Sequence, residues 1–237
     1  MLIDILLDDE HLIAVSKPAG LLAIPPPVDA KDNSKVPPNL SNQIRQYLMK
    51  RYNKTGSIYL ELITAPDTET SGIALFSKNT RDTQKLKTDL QKGGITFEYW
   101  ALTASRPKLE TGSLVHFLRY AYAKDIMQVF TSHQANTHKA VLRYELLAAL
   151  GNSNLLVIQS YSNLKQQVRA QLARIGSPVR GDKKYGDTKT LSAKITYVHL
   201  RKITFIHPGT HQSTTLSTRI DEKDQLWRTF AHFEERK

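Results

Sequence analysis

Ile95-Thr96-Phe97-Glu98-Tyr99-Trp100-Ala101-Leu102-Thr103 is the stretch on which the fold turns. Its side chains alternate, with Ile95, Phe97 and Tyr99 on one side, so it predicts a strand. Upstream, Asn79 to Gln91 predicts a helix. Asn79 or Thr80 would cap it, Leu86 and Leu90 share a face, and Gly93-Gly94 ends it. Downstream come four further strand signals: Leu114 to Leu118, Met127 to Phe130, Ala140 to Leu147 and Leu155 to Gln159. No helical pattern separates them. Strands that follow one another without crossover helices build antiparallel sheets, so the run predicts an α+β fold. The expectation is a mixed, mostly antiparallel central sheet flanked by a few helices and loops.

Working outward, Ile3 to Leu7 and Leu12 to Ser16 read as two short strands joined by the turn Asp8-Asp9-Glu10. Ala23 to Pro38 is proline-rich and polar and predicts an irregular loop. Asn39 to Tyr52 predicts a helix, with Leu40, Ile44 and Leu48 on one face and Lys50 and Arg51 near its C-terminal end. Ile58 to Ile63 and Ile73 to Phe76 read as strands around the turn Pro66 to Gly72. Leu164 to Ile175 predicts a helix with the stripe Val168, Leu172, Ile175 and a C-terminal Gly176. Tyr197 to Phe205 and Ser213 to Thr218 are late strands, and Leu226 to Phe233 a short terminal helix. No repeat or low-complexity linker divides the chain, so residues 1–237 are expected to form one domain.

The 237 residues are 40% hydrophobic and 23% charged, ordinary for a chain with a packed core. Lysine and arginine total 33 against 22 acidic residues, a net charge of +11. An excess of this size attracts polyanions. No run of 18 apolar residues offers a spanning helix, and the acidic N-terminus lacks the charge order of a signal peptide. A cytosolic protein with a nucleic-acid partner, and no membrane, is the expectation. There are no cysteines. Disulfides, thiolate zinc sites, iron–sulfur clusters, a cysteine nucleophile and the zinc deaminases of nucleobases are excluded together.

Several motifs fall short. Gly181 to Gly186 has P-loop glycine spacing, but Asp187 stands where lysine is needed. His207 and His211 flank Pro208-Gly209, a turn rather than a metal-binding helix face. The Asp8-Asp9-Glu10 cluster reads as a solvated turn, and Ser71 lacks the glycine frame of a hydrolase elbow. No metal and no cofactor are therefore expected.

Five blocks, in order, carry a likeness. They are Glu10-His11-Leu12-Ile13-Ala14-Val15 with Lys17-Pro18-Ala19-Gly20; Asp67-Thr68-Glu69-Thr70-Ser71-Gly72; Phe97-Glu98-Tyr99-Trp100-Ala101-Leu102; Gln167-Val168-Arg169-Ala170-Gln171-Leu172-Ala173 with Ile175 to Val179 and Gly181 to Gly186; and His199-Leu200-Arg201 with Phe205 to Pro208, Trp227 and Phe230. Together they resemble the catalytic domain of the RluA-type pseudouridine synthase family. The resemblance puts that family's catalytic aspartate on Asp67, its active-site tyrosine on Tyr99 and its arginine on Arg169. The chain departs from the family pattern ahead of the aspartate, where His-Arg-Leu is Thr64-Ala65-Pro66. The arginine after it is Thr68, and Gly-Arg-x-His is Asn163-Leu164-Lys165-Gln166.

The three residues make chemical sense as a set. A carboxylate kept ionised in a closed pocket needs a permanent cation, and arginine forks two hydrogen bonds onto it. A base taken out of its helix needs an aromatic ring to stack on. By itself, Asp67 reads as a turn residue, Tyr99 as core and Arg169 as a solvated helix residue. The resemblance implies a monomeric isomerase that converts uridine to pseudouridine in ribosomal or transfer RNA, with Asp67 as nucleophile, Arg169 as its ion-pair partner and Tyr99 as stacking platform. Arg180, Lys183 and Lys184 are expected to contact RNA phosphates. Because flanking arginines are missing, an inactive RNA-binding relative that keeps the fold is the alternative. A protein-interaction module with a basic surface is a third.

Overall fold

A computed structural model describes residues 3–26, 36–188 and 195–236. Their order is β1 (Asp4–Asp8), β2 (Leu12–Lys17), α1 (Leu40–Arg51), β3 (Glu61–Thr64), β4 (Ser71–Ser77), α2 (Thr80–Gln91), β5 (Thr96–Thr103), β6 (Thr111–Ala121), β7 (Ile126–Phe130), β8 (His138–Leu150), β9 (Ser153–Ser160), α3 (Gln167–Arg174), β10 (Val198–Ile206), β11 (Ser213–Ser217) and α4 (Gln225–Arg228). The fold is the expected α+β class. Residues 27–35 of the proline-rich stretch lie outside the described residues.

All described strands share one sheet in the order β1-β2-β4-β10-β5-β9-β8-β6-β7, with β3 also on β4 and β11 also on β10. Every pairing is antiparallel except β4 with β10. The late strand β10 thus enters the middle of the sheet and joins the N-terminal strands to the β5–β9 half. At that joint Gly72, at φ +123°, faces Leu200, and a Cβ there would come within 2.3 Å of the Leu200 carbonyl oxygen. Only glycine allows the two backbones this close.

Alternation along the strands builds two cores. Leu12, Ala14, Ile73 and Leu75 share one face with Trp100, His199 and Trp227. Ile13, Val15, Ala74 and Phe76 meet Leu40, Ile44 and Leu48 of α1 on the other. A central strand buried on both faces explains why Trp100 and Leu102 of β5 are as buried as Phe97 and Tyr99. Among the described residues no helix is long and apolar enough to cross a membrane.

Beyond strands that run longer than read, such as β6 at Thr111–Ala121, three departures from the sequence reading matter. The stretch read as a strand from Ile58 pairs only from Glu61. The terminal segment is one turn of α4, which puts Trp227 in the core, followed after the buried Phe230 by a 3₁₀ turn, Ala231–Arg236. The helix read from Leu164 starts at Gln167, because Gln166 takes the left-handed conformation at φ +57°. That last difference shapes the site.

Candidate active site

Asp67 lies in the turn between β3 and β4, Tyr99 in the middle of β5, and Arg169 in the first turn of α3. The fold brings the three together. Arg169 Nη1 donates to Asp67 Oδ2 at 3.4 Å, and Tyr99 lines the same small cavity as both of them. The Asp67 turn is closed by the Thr70 amide and hydroxyl, each donating to the Asp67 carbonyl at 3.1 Å. Asp67 Oδ1 accepts from the Gln166 amide at 3.1 Å. The left-handed Gln166 is therefore what aims an α3-entry amide at the carboxylate, a positive helix end against a negative group.

Asp67 is not the main partner of Arg169. The guanidinium forks onto Asp182, with Nε to Oδ2 at 2.6 Å and Nη2 to Oδ1 at 2.9 Å, both buried. Only Nη1 is left, and it is shared between Asp67 and Glu69, the latter at 3.2 Å. The Tyr185 ring lies 5.5 Å from the guanidinium. Asp182 and Tyr185 belong to the Gly-Asp-Lys-Lys-Tyr-Gly block, whose presence in the sequence is the signal that could have flagged them. Nothing in the sequence says that Asp182, rather than Asp67, takes the fork.

A second cation sits beneath the turn. Lys17 is 0% exposed, and its ammonium donates to the carbonyls of Pro18, Leu21, Thr68 and Thr70 at 2.8–3.3 Å. It ties the Asp67 turn to the segment after β2. Burial lowers its pKa to about 8, while the charges of Asp67 and Glu69 pull it back up. Three carboxylates (Asp67, Glu69 and Asp182) thus meet two cations, one negative charge in excess. Burial pushes the Asp67 carboxyl above its ordinary range, the Arg169 charge and the Gln166 amide oppose this, and Glu69 adds to it.

Burial, and the Asp67 charge after it, pushes the Tyr99 hydroxyl far above its ordinary value, so the phenol keeps its proton. It donates to Asn163 Oδ1 at 2.9 Å, and the Asn163 amide bonds Thr64 Oγ1 and the Ala65 carbonyl. Thr64, Ala65 and Asn163 are positions where the chain departs from the pattern it resembles. Here they close a small network over Tyr99. The space among Pro66, Asp67, Tyr99, Leu164 and Arg169 is about 20 Å³, room for the centre of one water and far less than a nucleobase occupies.

The expected phosphate contacts divide. Lys183 is exposed. Lys184 pairs with Asp125 at 2.5 Å and keeps part of its side chain open. Arg180 is corrected: it is buried, with its guanidinium on the Asn152 carbonyl and Ser153 Oγ, so it holds the end of β9 rather than facing solvent. His207 is equally internal, bonded to Asp9 at 2.9 Å and to the amides of Gly209 and Thr210, which fixes a turn.

A family model described as RNA pseudouridylate synthase matches residues 11–174. The chain is 27% identical to the tRNA pseudouridine synthase C of Haemophilus ducreyi over 244 residues, covering 95% of this chain and 94% of that one. It is 28% identical to the ribosomal large subunit pseudouridine synthase C of Rickettsia typhi over 199 residues, covering 83% of this chain and 61% of that one. The solved structure of human RNA pseudouridylate synthase domain containing 4 superimposes with a TM-score of 0.70 at 19% identity, over 97% of this chain and 92% of that one. At that identity the superposition shows a shared fold.

Proposed function

The chain belongs to the RNA pseudouridylate synthase family, and on that premise we propose that it isomerises uridine to pseudouridine in structured ribosomal or transfer RNA. The observation that carries the reading is the meeting of Asp67 with Arg169 at 3.4 Å beside Tyr99. The reaction breaks the C–N glycosidic bond and re-forms a bond from the same sugar to a carbon of the same base. One hydrogen leaves that carbon and one arrives at the freed nitrogen, so nothing is oxidised and no outside group is consumed.

In this reading Asp67 is the nucleophile. Arg169 and the Gln166 amide favour its charged form against the cost of burial. Arg169 is held by Asp182 and is thus pre-set rather than recruited, so its orientation costs little during reaction. Tyr99 offers a ring against the flipped base. The closed space must open for this, and Asn163 and Leu164 are the side chains in the way. Glu69, half exposed beside Arg169, keeps the guanidinium from being spent on Asp67 alone. Lys183 and Lys184 supply charge for phosphate. The same reading treats residues 1–237 as one catalytic domain acting as a cytosolic monomer, without metal.

Ribosomal and transfer RNA from cells lacking this protein provide the test. The wild-type chain should form pseudouridine, and Asp67→Asn should lower the rate by about 10²-fold or more. Undiminished product from Asp67→Asn would end the assignment. The network of Tyr99, Asn163 and Thr64 over the small cavity favours one second reading, an RNA-binding relative without catalysis. Its mark would be salt-sensitive RNA binding that survives Asp67→Asn while the wild type forms no pseudouridine.

A further inference from the structure

The turn between β6 and β7 carries a side chain that the chemistry above does not use. Tyr122, the first residue of the 3₁₀ turn Tyr122–Lys124, is 87% exposed. It is the most exposed of the large hydrophobic side chains among the described residues. Its ring stands edge-on to Tyr120 at 5.0 Å between centroids. Lys165 lies 4.4 Å from the Tyr120 ring.

This aromatic pair is wired to the reaction centre. Asp125 ends the turn in the left-handed conformation at φ +48°. Its carboxylate takes Lys165, Lys184 and the Tyr120 hydroxyl, and its carbonyl accepts from Gln166 Nε2 at 3.3 Å. The Gln166 amide is the donor on Asp67. Two hydrogen-bonded residues therefore separate the turn from the carboxylate. The turn is also pinned from below, since the Tyr185 hydroxyl accepts from the Met127 amide at 2.7 Å. Asp125 is outnumbered by Lys124, Lys165, Lys183 and Lys184, so the rim stays positive.

An exposed tyrosine held in place by a neighbouring ring, in a turn whose Asp125 gathers Lys165 and Lys184, is an arrangement that can stack an unpaired base while charge holds its phosphates. We propose that Tyr122 is a stacking platform for a nucleobase next to the one that enters the Asp67 cavity. It is thus a positioning residue on the rim of the site. A tyrosine ring loses little freedom on binding because it has only two side-chain torsions. The proposal rests on the RNA-modifying reading, and names the surface that reading leaves open.

The full chain and a fluorescently labelled RNA hairpin with uridines in its loop test it, by anisotropy across a salt series. Tyr122→Ala should weaken binding by about tenfold. Its log–log salt slope should match the wild type, since no charge is lost. Tyr122→Trp should bind within about twofold of the wild type because an indole also stacks. Its new emission should be quenched by the RNA, against the buried Trp100 and Trp227. Wild-type affinity in Tyr122→Ala, or an indole unmoved by RNA in Tyr122→Trp, would overturn the platform while leaving the catalytic reading intact. A wild-type chain that binds the hairpin no better than another protein of equal charge would overturn both.

Discussion

Arg169 decides the site at the residue scale because its three nitrogens are all committed: two to Asp182, one shared by Asp67 and Glu69. A lysine is a point charge and cannot fork onto Asp182 while reaching the turn. Arg169→Lys should therefore move charge away from Asp67, whose carboxyl already lies above its ordinary range. That carboxyl then rises further, and the acidic limb of the kcat profile shifts to higher pH. Activity near pH 6 should fall about 10–100-fold. Folding should lose about 1–3 kcal/mol, as buried donors and acceptors lose partners. A pH–rate profile and a urea titration check this, and an acidic limb left in place would refute it. Residue identities here are legible in the sequence, because Asp67, Tyr99 and Arg169 sit in blocks that resemble a known site. The allocation of hydrogen bonds is not, because Asp182 lies 13 residues from Arg169 in the chain and meets it only through the loop after α3. Lys17 escapes for a similar reason: a lysine after a strand reads as surface until its four carbonyl partners are placed around it.

Among the elements, the joint of β4 and β10 matters most. The Asp67 turn runs straight into β4, and β4 is fixed laterally by β2 on one side and β10 on the other. Gly72 permits that contact, and an added Cβ meets three Leu200 backbone atoms at 2.3–2.7 Å. Backbone cannot swing aside as a side chain can. Gly72→Ala should cost at least about 3 kcal/mol and should disorder the turn that carries Asp67. Urea unfolding paired with a pseudouridine assay would show both losses together; a wild-type midpoint would contradict the joint's role. Strand alternation and helix stripes make β5, α1 and α2 legible from the sequence. Periodicity is blind to two things. It continues the α3 pattern back to Leu164, across the left-handed Gln166 that ends it. It also says nothing about which strands pair, so the insertion of β10 beside β4 appears only in three dimensions.

The molecule as a whole carries +11, and this much is plain from composition. Which cations face a partner is a matter of packing: Arg180 and Lys17 are buried, while Lys183 is exposed. The same burial sets how the fold responds to acid. His199 sits in β10 with Nδ1 on Ser71 Oγ at 2.9 Å and Nε2 on the Thr218 carbonyl at 3.4 Å. A neutral ring with its proton on Nε2 satisfies both contacts. Burial lowers its pKa to about 4, from about 6.5 for a free histidine. Between those values the unfolded chain binds a proton that the folded chain refuses, so stability falls as pH falls. The slope is about 1.4 kcal/mol per pH unit, and the loss by pH 4 is about 3 kcal/mol. Asp9 and Asp82, held below their ordinary range by hydrogen bonds and histidine partners, push the same way at lower pH, whereas Asp67 pushes back. His199→Gln keeps a donor and an acceptor but cannot take up a proton. Urea midpoints for the two proteins should diverge in slope between pH 6.5 and 4.5, with the variant the flatter. Parallel lines would mean that His199 titrates normally, and that the junction of β10 with Ser71 and Thr218 is open to water.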